Sequence, residues 1–312
     1  MHKLALPAVQ ALFSLLLLIS PPLSASSWPS LEADLEPLAL SLPQGWVLGE
    51  AAGVEIDQRG HLFVFNRGPH PLLEFDARGR LLREIGAGLF ENPHGLRLEG
   101  DGIWTTDTGT HLVLRFSPAG KVTMVLGMRG KAGTGWFDRD YNLTLFDQPT
   151  DVALDSKGNI YVTDKGNARV VKFNAKGQVL THWGRQGDAP GEFNFPHSIR
   201  IDPDNRVFVA DRENRRIQVF GPEGDLLETW DHIGYPYTLS WDTKDHLWVT
   251  DARAERVLKL DREGKVLGAY QGTPGRGEKQ FGFVHGIAVS PQGTVYLSEI
   301  LNWRLQRLLP HS

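Results

Sequence analysis

The sequence predicts an all-β fold, a six-bladed β-propeller built from four-stranded antiparallel blades. Three observations predict it. A first-strand pattern of a small or polar residue, then apolar, any, apolar and acidic positions, recurs six times: AGVEID from Ala52, HGLRLE from His94, TDVALD from Thr150, HSIRID from His197, YTLSWD from Tyr237 and HGIAVS from His285. Each copy is followed by further short β-branched and aromatic runs, such as RVFVADR then RIQVF, separated by Asp, Asn, Pro and Gly. That punctuation marks an antiparallel meander. One meander cannot bury its own faces, so copies must stack on one another. The last copy stops near Leu309 and lacks a fourth strand. A ring one strand short at its C-terminus is expected to be closed by an N-terminal strand, which removes an open sheet edge.

Taken in order, residues 1–25 have a basic start, an apolar core LFSLLLLIS and a small-residue exit, the pattern of a secretory signal. Residues 26–49 form a Pro-rich lead-in that contains the closing strand, expected within Leu38 to Leu48. Residues 50–312 form the propeller. Its longest insert, 128–147, is Gly-rich and aromatic and could wall one face of the ring. The chain has no cysteine, which excludes disulfides, thiolate metal sites and a lipid-modified N-terminal cysteine. A formal charge of −4 without a basic block argues against a nucleic-acid partner. The expected product is a secreted or periplasmic monomer without a membrane anchor.

In a repeat protein, features present in nearly every copy are most simply architecture. Asp107, Asp164, Asp211 and Asp251 end second strands, and Arg169, Arg216, Arg256 and Arg304 open third strands, so these are expected to brace turns. Function is sought where copies differ. The first position of the first strand reads Ala52, His94, Thr150, His197, Tyr237, His285, with histidine in blades 2, 4 and 6 only. Inner strands line the central channel, so three imidazoles are spaced evenly about one axis. They either hold a catalytic zinc with an open fourth position or fill a wet channel. The residue after the second strand also varies, and it is arginine at Arg67 and Arg212 in blades 1 and 4, which face each other. These arginines either clasp a substrate carboxylate or form ordinary loop ion pairs.

The segments GVEID with FNRGPH, NPHGL, QPTDVALD, FPHSI with VADRENRRIQVF, and FVHGI, in that order, resemble the peptidyl-α-hydroxyglycine α-amidating lyases among the NHL-repeat propellers. The resemblance covers about residues 50–310. It implies zinc on His94, His197 and His285, structural calcium held partly by the backbone carbonyls of Val54 and Leu96, and functional roles for Arg67 and Arg212. The implied reaction cleaves the N–C bond of a carbinolamide to an amide and glyoxylate, so the implied partner is a small molecule or peptide bearing a carboxylate. This chain departs from the family in several places. Lys165 and Gly166 stand where the family has a functional tyrosine, Gly286 replaces an acidic calcium ligand, and Phe283 replaces a methionine. Tyr237 could supply a phenol from blade 5. The alternative reading is a non-catalytic NHL-repeat propeller that binds a protein or glycan.

Overall fold

A computed structural model describes residues 28–133 and 142–311; the leader read over residues 1–25 lies outside them. Among the described residues, six four-stranded antiparallel sheets form blades, joined by one two-stranded parallel pairing of Thr273–Pro274 with Gln280–Phe281. The inner strands touch in sequence around the ring, and the strand Ala51–Ile56 of blade 1 meets Val284–Val289 of blade 6. Blade 4 shows the gradient common to the repeats. Its inner three strands, Pro196–Ile201, Val207–Asp211 and Arg216–Phe220, are almost wholly buried, whereas the outer strand Leu226–Trp230 faces solvent.

Cohesion comes from apolar faces interleaved between neighbouring blades. Phe208, Leu239 and Val249 join blades 4 and 5, and Trp104, Val152 and Phe173 join blades 2 and 3. Each fully buried side chain of this size contributes roughly 1.5–3 kcal/mol. Leu145 and Phe146, at the end of the long insert, are buried, so this part of the expected wall is packed into the interior instead. Residues 134–141 of that insert lie outside the described residues.

The N-terminal strand that closes the ring is Ala33–Pro37, which pairs antiparallel with Arg304–Pro310 from Ala33 opposite Pro310 to Pro37 opposite Gln306. It precedes the Leu38 to Leu48 stretch in which it was expected. The apolar residues of that stretch, Leu38, Leu40, Leu42 and Trp46, pack on the cluster between blades 6 and 1. The closing strand instead needs one buried side chain, Leu35, because its other face meets solvent.

The acid at the end of a second strand staples two segments together. Asp164, Asp211 and Glu299 each accept the backbone amide of the loop entering the blade, from Asp147, Asn194 and Gly282, at 2.7, 2.7 and 2.8 Å. Their other oxygens meet Arg169, Arg216 and Arg304 at 2.8, 2.8 and 3.0 Å. Asn66 takes the acid's place in blade 1 and accepts the Gly49 amide at 2.9 Å. The repeated acid and arginine are therefore scaffold, and the residue just after each acid is held at the mouth of the channel.

Candidate metal centre

The pairing between first and second strands shifts register between Pro93 and Leu96, between Pro196 and Ser198, and between Val284 and Gly286. Such β-bulges leave a residue unpaired and re-aim its side chain. His94, His197 and His285 occupy these bulges and converge in the channel, with ring centroids 4.7, 5.0 and 4.9 Å apart. All three are buried, and their ligand atoms lie within 4.8 Å of one another. Among the described residues this is the one cluster of three metal-ligating side chains so placed.

The tautomer of each ring is set by the neighbouring blade. The Nδ1 atoms of His94, His197 and His285 lie 2.8, 2.7 and 2.7 Å from the carbonyl oxygens of Thr150, Tyr237 and Ala52. A carbonyl can only accept, so each Nδ1 carries the proton and each Nε2 keeps its lone pair. These acceptors are the first-position residues of blades 3, 5 and 1. Each imidazole of an even blade thus donates to a carbonyl of an odd one. Burial, followed by neighbouring positive groups, pushes all three rings below the ordinary histidine range, His285 to about 3. The rings are therefore neutral and fit a metal ion that keeps an open position toward the channel mouth.

Above the imidazoles lies a cup of about 230 Å³ whose wall includes the residues that follow the second strands: Arg67, Thr108, Lys165, Arg212 and Ile300. Arg67 donates to Glu50 Oε2 at 2.7 Å and to the Pro93 carbonyl at 3.1 Å. Arg212 donates to Glu213 at 2.9 Å, and its guanidinium lies 3.6 Å from the Phe195 ring centre and 4.7 Å from that of Tyr237. The field of Arg67 lowers the pKa of His94 and His285, and that of Arg212 lowers the pKa of His197 and His285. Both arginines thus line the cup above the imidazoles, and each is held there by a loop carboxylate. Tyr237 also lines the cup.

Lys165 has a larger place than its sequence reading gave it. It donates to Gln148 Oε1, and its ammonium group lies 4.4 Å from the Phe195 ring centre. Burial, then Arg212, lowers its pKa. The signal available in the sequence was its repeat position, which it shares with Arg67 and Arg212.

Val54 and Leu96, whose carbonyls are assigned to calcium by resemblance, line a void of about 10 Å³ that the three histidines also border. This donor set does not fit calcium. The Leu96 carbonyl accepts from the Arg97 guanidinium at 3.0 Å. At Gly286 a Cβ would come within 2.4 Å of Ser298 Oγ, so a side chain there requires Ser298 to move. Arg97 Nε is buried without a hydrogen-bond partner and is one more donor where a cation needs acceptors.

The NHL repeat matches residues 146–173 and 193–220, the cores of blades 3 and 4. A probable peptidyl-alpha-hydroxyglycine alpha-amidating lyase of Caenorhabditis elegans is 33% identical over 175 residues, covering 48% of this chain and 48% of that protein. The chain carries NHL repeats and is similar in sequence to the amidating lyases over about half of its length. Peptidyl-glycine alpha-amidating monooxygenase of Mus musculus is 34% identical over 191 residues, 50% of this chain and 19% of that protein. This NHL-repeat chain thus matches only a fifth to a half of the length of these relatives. NHL repeat-containing protein 3 of Mus musculus is 34% identical over 261 residues, 78% of this chain and 62% of that protein.

Proposed function

We propose that this propeller is a zinc-dependent carbon–nitrogen lyase that cleaves an α-hydroxyglycine-type carbinolamide to an amide and glyoxylate. The observation that carries the reading is the convergence of three Nε2 lone pairs at the floor of a cup bearing Arg67 and Arg212. His94, His197 and His285 would hold the zinc, which when bound would supply Lewis acidity toward a substrate hydroxyl.

The chain's own residues do the rest. Arg67 and Arg212 bind the substrate carboxylate, and the stacking of Arg212 on Phe195 fixes its guanidinium plane. Lys165, as the neutral amine, takes the proton from the hydroxyl. The carbon–oxygen double bond forms as the carbon–nitrogen bond breaks, the electron pair goes to the amide nitrogen, and Lys165 returns the proton there. Atoms and electrons balance with no oxidant and no water consumed. The buried floor and aromatic wall of Phe195 and Tyr237 keep bulk water from competing.

The test is release of glyoxylate from α-hydroxyhippurate by purified protein supplied with zinc. No release from a protein that holds zinc removes the lyase reading and leaves the alternative, a binding propeller. That alternative draws on the longer match to NHL repeat-containing protein 3. Export to the periplasm or medium is part of the proposal, resting on the leader-like residues 1–25 and tested by N-terminal sequencing of the mature protein. Among the described residues no helix is long and apolar enough to cross a membrane.

A further inference from the structure

We infer that the Arg97 guanidinium is the resident cation of the propeller hub, occupying the place of a structural metal ion and tying the blades together without calcium.

The evidence is the shell around it. Its two terminal nitrogens meet one oxygen from each of five successive blades: Glu55 Oε1 at 3.2 Å, the Leu96 carbonyl at 3.0 Å, Asp151 Oδ2 at 2.5 Å, Ser198 Oγ at 3.2 Å and the Leu239 carbonyl at 3.5 Å. Carboxylates, carbonyls and a hydroxyl drawn from all sides form the oxygen set by which proteins hold a hard divalent cation. The sixth blade presents Gly286 to the same void. Arg97 is buried, and so is Asp151, the only acid among the residues that follow the first position of the inner strands.

A second arginine adds to the positive charge at the hub. Arg200, also buried, donates to Glu55 Oε1 at 2.8 Å and to the Leu239 carbonyl at 3.1 Å, and lies 3.5 Å from Glu99. Two fixed cations already meet the carboxylates of Glu55, Asp151 and Glu99. A divalent ion added here would face two guanidiniums in a buried site, where like charges repel strongly. The void there is only about 10 Å³, room for at most one water-sized species.

The cluster also bears on the metal centre above it. Asp151 follows Thr150, whose carbonyl receives the His94 Nδ1 proton. Anchoring Asp151 to Arg97 therefore positions the acceptor that fixes the His94 tautomer. Arg97 is a positioning residue, one layer below the imidazoles.

The experiment needs neither lyase activity nor substrate, so its outcome is separate from that of the proposed function. Wild-type protein is equilibrated with millimolar calcium at constant zinc, desalted and analysed for its elements, and its melting temperature is measured with and without calcium. The expected result is no stoichiometric calcium and no shift. One calcium per chain, or a melting temperature raised by calcium, overturns the inference. Arg97→Ala exposes the oxygen shell, and its lowered melting temperature is expected to rise again with calcium. A folded Arg97→Ala protein indifferent to calcium also counts against the inference. Should that variant not fold, the wild-type measurements decide, and Arg97→Met with Asp151→Asn, which removes both charges, is expected to fold and ignore calcium.

Discussion

His285 donates its Nδ1 proton to the carbonyl of Ala52 at 2.7 Å, across a sequence separation of 233 residues and across the seam where the first blade meets the last. One third of the metal centre therefore depends on ring closure. Removing the residues up to and including Pro37 takes away the strand paired with Arg304–Pro310 and loosens blade 6. The expected outcome is a chain that binds less than one zinc, read by elemental analysis beside the full-length protein. His94→Ala is expected to lose zinc as well, with its ring closure intact. Full zinc occupancy in the truncated chain would falsify the link between seam and metal.

Lys165 gives a pH signature. Burial and Arg212 hold its amine below the ordinary lysine value of 10.5, with Asp147 opposing. A base acts only after losing its proton, so kcat/KM should rise with pH through this lowered value and level off above it. Lys165→Met is expected to abolish that limb and reduce kcat/KM by roughly 10²–10⁴-fold with zinc content unchanged. Partial recovery with added methylamine would identify the missing group as an amine. An unaltered profile in the variant assigns the proton transfer elsewhere.

Arg212 is held by Glu213 and stacked between Phe195 and Tyr237, so its planar fork matters as well as its charge. Arg212→Lys keeps the charge and loses the fork. Its binding of a carboxylate-bearing substrate is expected to weaken by about 1.5–3 kcal/mol, the worth of hydrogen bonds to a charged group. A neutral substrate analogue should be affected far less. Equal loss for both substrates would contradict carboxylate recognition by this residue.

The pair formed by Asp164 and Arg169 should behave as scaffold. Both side chains are fully buried, 2.8 Å apart, and Asp164 also accepts the Asp147 amide. Asp164→Ala removes the carboxylate paired with a buried guanidinium and is expected to cost about 3–5 kcal/mol in urea unfolding. Zinc affinity per folded molecule should change little. Loss of metal without loss of stability would give this acid a functional role.

Most of this architecture was legible because a repeated sequence declares its period. Six copies gave the blades, and the missing fourth strand in the last copy implied closure from the N-terminus. The alternation of His94, His197 and His285 with Ala52, Thr150 and Tyr237 was visible too, but not its reason, since hydrogen bonds from ring nitrogens to neighbouring carbonyls leave no mark on residue type. The closing strand was placed too late because Leu38 to Trp46 is more apolar than Ala33–Pro37, and hydrophobicity reports burial more directly than pairing. The hub cluster was missed although Arg97 and Arg200 share one repeat position in blades 2 and 4. An arginine inside a strand pattern reads as surface until the channel it enters is known.

The donor and acceptor roles of alternate blades give the protein a quantum of change. Gain or loss of a single blade would set two histidine-bearing strands side by side, or two without histidine, and break the alternation at that seam. Duplication or deletion that respects the chemistry must proceed two blades at a time. The heritable unit of this metal centre is then the dyad, twice the length of the repeat that the eye first finds in the sequence.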